Sequence, residues 1–286
     1  MRVFALVVLT AAALALAQQA EAKDWSKITI ATTRAFMPFN GLDASGKPIG
    51  YEIDLAKDLC ARMKATCRIV DQDWKDLIPG LNAGKYDAIM AALSITPKRL
   101  EVINFSRAYA QSPFTFVVPK NGPLAKMPVT RISLDDAAAT EAMVKELTPY
   151  LKGKILGVQE LTVEAAVLNT YFKGIAAEIR TYRVCRGCGP TDAGYVRDLL
   201  AGRLDAVMSM PWYFASTLSK PGGDQFTLAG SLMTGGLLGD GFGVGLRKGD
   251  TDLKSLFDTA IGEAQADGTL RRLTLQWFKT DISPPD

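Results

Sequence analysis

The segment Thr96-Pro97-Lys98-Arg99 carries the most specific chemistry in the chain. Threonine at an N-cap followed by proline opens a helix, and Arg99 then falls in its first turn. A cation there opposes the helix dipole by roughly a few tenths of a kcal/mol or more. An anion held at the helix start reverses that penalty, and the planar guanidinium can grip a carboxylate with two parallel hydrogen bonds. The competing reading is an arginine that snorkels outward into water. Ser94, two residues before the cap, offers a hydroxyl and a backbone N–H. Phe36 and Trp74 each follow a strand-like segment, the end at which open α/β sheets bind ligands. Plain core packing is the alternative for both.

Other chemistries are poorly supplied. Histidine is absent, which removes the commonest general base and the commonest metal ligand. That counts against many hydrolases and metalloenzymes, and no metal or cofactor is expected. Cys60 and Cys67 are close in sequence, and an oxidising compartment favours a disulfide between them. Cys185 and Cys188 form a C-x-x-C spacing just before Gly189-Pro190. A redox pair needs a thiol activated at a helix N-terminus, whereas this setting suggests a loop. A zinc site needs two further cysteine or histidine ligands, and none is left over. A local disulfide that tightens the loop is the favoured reading.

The compartment follows from the first residues. Arg2, the apolar run Val3 to Ala17 and the small-residue site Ala20-Glu21-Ala22 read as a signal peptide over residues 1–22. The run is short for a retained membrane anchor. The mature chain is expected to start at Lys23 and to be free in solution outside the cytoplasm. The full sequence's 48% hydrophobic and 22% charged residues suit a globular protein with a large core. A net charge of +3 with scattered signs gives no argument for nucleic acid.

Strand-like and helix-like periods alternate along the chain, which predicts an α/β architecture. Strands are expected at Lys27–Thr32, Cys67–Val70, Tyr86–Ala92, Phe114–Val118, Lys154–Gln159 and Phe242–Leu246. Helices are expected at Tyr51–Met63 and Trp74–Asn82, from Pro97, and across Leu253–Phe278 with a break at Gly268. One pattern occurs twice. Leu81-Asn82-Ala83-Gly84-Lys85-Tyr86-Asp87-Ala88-Ile89-Met90 returns as Leu199-Leu200-Ala201-Gly202-Arg203-Leu204-Asp205-Ala206-Val207-Met208. Both copies read as a helix end, a terminating glycine, a cation and a buried strand. Two lobes built on one plan would produce this, with Asp87 and Asp205 as structural residues at the strand starts. Asn121–Tyr150 reads as a connecting loop with one extra helix. The glycine-rich Gly235–Gly245 lacks the GK[ST] of a nucleotide loop, so a strand that bends back between lobes is preferred.

Several motifs resemble one family. Gly50-Tyr51-Glu52-Ile53-Asp54-Leu55 with Leu59-Cys60 and Met63 is similar to the signature of the family 3 extracellular solute-binding proteins. The run Ala91-Ala92-Leu93-Ser94-Ile95-Thr96-Pro97-Lys98-Arg99 with Ile103-Asn104-Phe105-Ser106 fits it too. So do Gly243-Val244-Gly245-Leu246-Arg247-Lys248 and the end from Asp267-Gly268-Thr269 to Trp277-Phe278. Cys60 and Cys67 sit where the cationic amino-acid binders carry their disulfide. The insertion and the glycine run look most like the octopine and nopaline (opine) binders.

The resemblance implies a two-lobed, type II periplasmic binding fold joined by two hinge strands. Lobe one would span 23–111 plus 234–286, and lobe two 114–231. A monomer in the periplasm would close on a small carboxylate-bearing solute and present it to the membrane permease of an ABC importer. Arg99, Ser94 and Ala92 match ligand-binding positions, and Phe36 and Trp74 match positions that stack on the ligand. Thr33 stands where cationic amino-acid binders carry an acid, and Met210 where an acid holds the ligand ammonium. The lobe-two ligand loop reads Leu161-Thr162-Val163-Glu164. Thr162 would keep a hydroxyl contact there, and Glu164 would either restore a negative charge or be a solvated helix-start acid. These departures favour a modified amino acid, such as an opine, over plain lysine or arginine. The rival reading is a periplasmic enzyme of the cyclohexadienyl dehydratase type on the same fold.

Overall fold

The computed structural model describes residues 23–183, 194–212 and 223–285. The leader and the Cys185–Cys188 pair lie outside these residues. The chain opens with β1 (Lys27–Thr32), the short pair β2 (Gly41–Leu42) and β3 (Pro48–Ile49), and α1 (Tyr51–Arg62). On α1 the residues Tyr51, Leu55 and Leu59 recur at helical spacing and are fully buried. β4 (Thr66–Asp71) returns parallel to β1, and the Cys60–Cys67 disulfide ties it to α1 across 6.1 Å between Cα atoms. A single 3₁₀ turn at Trp74–Asp76 then leads into α2 (Leu77–Asn82).

β5 is shorter than its sequence suggests. Only Ala88–Ile89 pair as a strand, because Ala92 turns to φ 51° and takes the chain out of the sheet. After α3 (Pro97–Leu100) come β6 (Asn104–Ala110) and β7 (Phe114–Pro119). The insertion is more integrated than a connecting loop. Its β8 (Arg131–Ser133) pairs parallel to a later strand, and α4 (Ala137–Leu151) buries Met143, Leu147 and Leu151. There follow β9 (Ile155–Gln159), α5 (Val163–Val167), β10 (Glu178–Tyr182), α6 (Gly194–Leu200), β11 (Ala206–Ser209), β12 (Phe226–Thr234) and β13 (Phe242–Leu246). α7 (Thr251–Ala266) and α8 (Thr269–Phe278) end the fold, with Gly268 at φ 79° between them.

Apart from the two-stranded β2–β3 pair, the described strands form two sheets, ordered β4-β1-β5-β13-β6 and β10-β9-β11-β7-β12-β8. The chain passes between them twice, from β6 to β7 and from β12 to β13, so two mixed α/β lobes are joined by two crossovers. An aromatic cluster packs at the junction. The rings of Trp212, Phe278 and Phe242 lie 4.9, 4.8 and 5.3 Å from that of Phe39.

The repeated motif does the same structural work in each lobe. Asp87 accepts a hydrogen bond from the Thr29 backbone N–H (3.0 Å), and its own N–H donates to Thr29 O (2.8 Å). Asp205 accepts from the Ile155 N–H (2.8 Å) and donates to Ile155 O (2.9 Å). Each aspartate thus locks the start of its strand to the neighbouring parallel strand, β1 in one lobe and β9 in the other. Each also has a cation, Arg247 at 3.0 Å in one lobe and Lys154 at 3.2 Å in the other. β5 and β11 then run parallel to β1 and β9 respectively.

Candidate functional site

A cleft with about 710 Å³ of empty space lies where the two sheets face each other. Thr33, Phe36, Trp74, Ala92, Ser94, Arg99, Thr162 and Glu164 all line it. The sequence placed these residues on separate segments, some in loops and some at helix starts; the fold collects them near the carboxyl ends of strands from both sheets, where α/β proteins take their ligands.

Arg99 is positioned as its neighbours predict. Thr96 Oγ1 accepts from the Arg99 backbone N–H (3.2 Å), and Pro97 occupies the first turn. The helix proves to be one turn long, Pro97–Leu100. A macrodipole is therefore a minor cost, and desolvation is the major one. The guanidinium donates to Ser94 O (2.9 Å) and lies 5.6 Å from the Trp74 ring centre. Burial brings its pKa down to about 10, with Glu164 opposing the shift. It stays charged at neutral pH.

Glu164 mirrors this arrangement from the other lobe. Thr162 caps α5 by accepting from the Ala165 N–H (3.3 Å), and Glu164 falls in the first turn. The side chain is buried at 8% exposure, so it is not a solvated helix-start acid. Burial raises its pKa above the ordinary carboxylate value, against the lowering effects of its own backbone N–H, the Thr162 hydroxyl and Arg99. Neither Arg99 nor Glu164 makes an ion pair within 4.0 Å among the described residues. They are the only charged side chains on the described lining.

Trp74 links the two lobes. Its indole N–H donates to Leu161 O (3.2 Å), and Leu161 holds a left-handed φ of 60°. Phe36 stacks on Phe39 at 6.0 Å and meets Trp212 edge-on at 5.7 Å while still facing the cleft. Its packing and cleft readings therefore coexist. Thr33 donates its hydroxyl to Asn40 Oδ1 (2.7 Å), which turns its polarity into the protein. Met210, also on the lining, is 4% exposed.

Sequence reasoning passed over Ser209 and Met208, which line the cleft from the end of β11. The strand-end rule that selected Phe36 and Trp74 would have found them. It also passed over Glu52 as a site residue. This acid lies on a helix whose neighbours are apolar, and it is 1% exposed.

Comparisons with known proteins bear on the family and the fold. The model of the bacterial extracellular solute-binding proteins, family 3, matches residues 28–280. The octopine-binding periplasmic protein of Rhizobium meliloti is 38% identical over 298 aligned positions, covering 97% of this chain and 98% of that protein. The lysine/arginine/ornithine-binding periplasmic protein of Escherichia coli K12 is 33% identical, covering 89% of this chain and 88% of that one. A periplasmic His/Glu/Gln/Arg/opine family-binding protein from Silicibacter pomeroyi, solved in complex with lysine, superposes with a TM-score of 0.68 at 27% identity. That match covers 90% of this chain and all of the other. By sequence and fold, this chain belongs to the bacterial extracellular solute-binding proteins of family 3.

Proposed function

We propose that the protein is the periplasmic solute-binding component of an ABC importer that captures an amino acid or amino-acid derivative, opines included. The ligand carboxylate sits on Arg99, and its cationic nitrogen faces Glu164. The observation that carries this reading is a half-buried Arg99 and a buried Glu164, opposite in sign and without an ion pair within 4.0 Å among the described residues, on the lining of one cleft. Two desolvated charges that lack ion-pair partners are costly. A zwitterion spanning them offsets that cost at both ends, and a ligand without charged groups does not. Trp74 and Phe36 supply apolar walls, while Ser94, Ala92 and Thr162 complete the rim.

The lobes are proposed to be 23–111 with 234–286, and 114–231. β6 ends at Ala110 and β7 starts at Phe114, which supports a hinge between them. Hinge closure traps the ligand and creates the surface that a separate membrane permease recognises. Among the described residues no helix is long and apolar enough to cross a membrane. The enzymatic alternative needs an acid–base pair in the cleft. Glu164 is the one carboxyl on the described lining, and Asp192 lies outside the described residues.

Calorimetry and thermal shift with octopine, L-arginine, L-lysine and L-ornithine test the proposal, because a ligand of the folded state raises its melting temperature. Saturable binding of at least one supports capture. Tight arginine or lysine binding with none of octopine would remove the opine reading, and turnover of prephenate or arogenate would replace the receptor with an enzyme.

A further inference from the structure

Glu52 is buried with no ion pair within 4.0 Å among the described residues, yet three donors converge on it. Oε1 accepts from the Ala92 backbone N–H (2.6 Å) and from the Tyr109 hydroxyl, and Oε2 accepts from Asn40 Nδ2 (2.7 Å). Asn40, also fully buried, accepts through Oδ1 from the Thr33 hydroxyl (2.7 Å) and the Ala35 N–H (3.3 Å). One carboxylate thus reaches three residues of the cleft lining, Ala92 directly and Thr33 and Ala35 through one amide. The two segments it holds also contain two non-glycine residues with left-handed backbone, Ala92 at φ 51° and Arg34 at φ 50°. L-residues hold that conformation only when their surroundings enforce it.

We propose that Glu52 is a positioning residue for ligand capture: it fixes the lobe-one wall of the cleft from behind and sets affinity without touching the ligand. The proposal rests on the capture reading above. The polarity of the network is fully determined. Ala92 and Ala35 present backbone N–H groups, which can only donate. Oε1 and Asn40 Oδ1 must therefore both be acceptors, and Asn40 Nδ2 must point at Oε2. Glu52→Gln puts an amide N–H₂ against Asn40 Nδ2, so two donors collide. Flipping Asn40 removes that collision only by breaking the bond to Ala35. Because buried donors left unmatched are costly, the wall has to shift. A second substitution, Asn40→Asp, supplies an acceptor to the new amide and keeps both bonds to Thr33 and Ala35. The network is then complete again, with its charge moved to position 40.

This gives a reciprocal test with two independent readouts. In ligand-free nitrogen–proton correlation spectra the Ala92 amide proton should lie far downfield, move upfield in Glu52→Gln and return in Glu52→Gln/Asn40→Asp. In calorimetry, using octopine and L-arginine as probes, Glu52→Gln should weaken binding by about tenfold or more, and the double variant should recover most of it. A residue that only stabilises the fold would lower the melting temperature, leave the dissociation constant of the folded protein unchanged and gain nothing in affinity from Asn40→Asp. That outcome overturns the proposal. If Glu52→Gln does not fold, the double variant decides: near-native affinity supports the proposal, and folded protein with weak binding overturns it. If the wild type binds neither probe, the capture reading fails on its own account. The Ala92 amide then still decides whether Glu52 holds the wall, and an ordinary chemical shift there overturns it.

Discussion

In the first lobe the cleft-facing helix starts Thr96-Pro97-Lys98-Arg99; in the second it starts Thr162-Val163-Glu164. Both starts are capped by a threonine hydroxyl, and both carry their charge into the same cleft. Behind them the scaffolds match as well, with Asp87 and Asp205 making the same paired bonds to the neighbouring parallel strand, β1 and β9 respectively. The lobes differ in the sign of the charge presented. That difference shows two separate pressures. Backbone hydrogen bonding dictates the aspartates, since a strand start buried without partners is costly in either lobe. On the proposed reading the charges at the cleft answer to the ligand, since neither has an ion-pair partner within 4.0 Å among the described residues.

The comparison can be broken most directly at Arg99. Arg99→Ala removes the carboxylate grip, and ligand affinity should fall by about a hundredfold or more, close to 3 kcal/mol, in calorimetry. If affinity is unchanged, the lobe-one charge is not the anion site.

Glu164→Gln should act more gently, weakening a zwitterionic ligand by about tenfold. It also has a pH signature. The folded carboxyl titrates above its ordinary value of 4.5, so the native state holds the proton longer than the unfolded chain. Its favourable contribution is therefore present below about pH 4.5 and lost as pH rises through the folded value. The ligand-free wild type should lose melting temperature relative to Glu164→Gln over that rise. Parallel curves would show that burial does not control this carboxyl. Glu52 carries a shift in the same direction, so the variant removes only part of the slope.

The scaffold half of the comparison predicts smaller effects. Asp87→Ala and Asp205→Ala should each cost about 1–3 kcal/mol in denaturant unfolding, with ligand affinity of the folded protein retained. Asp87 should cost more, because its partner Arg247 is 19% exposed and Lys154 is 30% exposed. An effect on affinity as large as that of Arg99 would merge the two roles.

Trp74→Phe sharpens the picture least. It keeps an aromatic ring beside Arg99 and deletes the N–H that reaches Leu161 across the cleft. The loss should be about 1 kcal/mol of closure, read as a modest rise in the dissociation constant and a larger radius in solution scattering.

The elements recovered from sequence are those set by local rules. β1 and β13 fall on the expected residues, and the break at Gly268 lies between two helices as its position implies. The Thr96 cap likewise needs only residues three apart to form. The eight cleft residues could be proposed singly, each from a strand end, a cap or a family position. Where the reading slipped, contacts from distant parts of the chain were responsible. β5 stops early because Ala92 is drawn toward Glu52, forty residues before it. β8 became an edge strand because Thr234 and its neighbours were there to pair with it.

The sequence by itself determined the α/β alternation, the duplicated aspartate anchors, the Cys60–Cys67 pairing and the capped arginine, because each depends on periodicity, spacing or compartment. Only the tertiary structure decided that Glu164 is buried in the same cleft as Arg99, that Trp74 meets Leu161 from the other lobe, and that Glu52 meets Ala92, Tyr109 and Asn40. Burial and through-space charge depend on which surfaces meet, and those surfaces come from segments far apart in the chain.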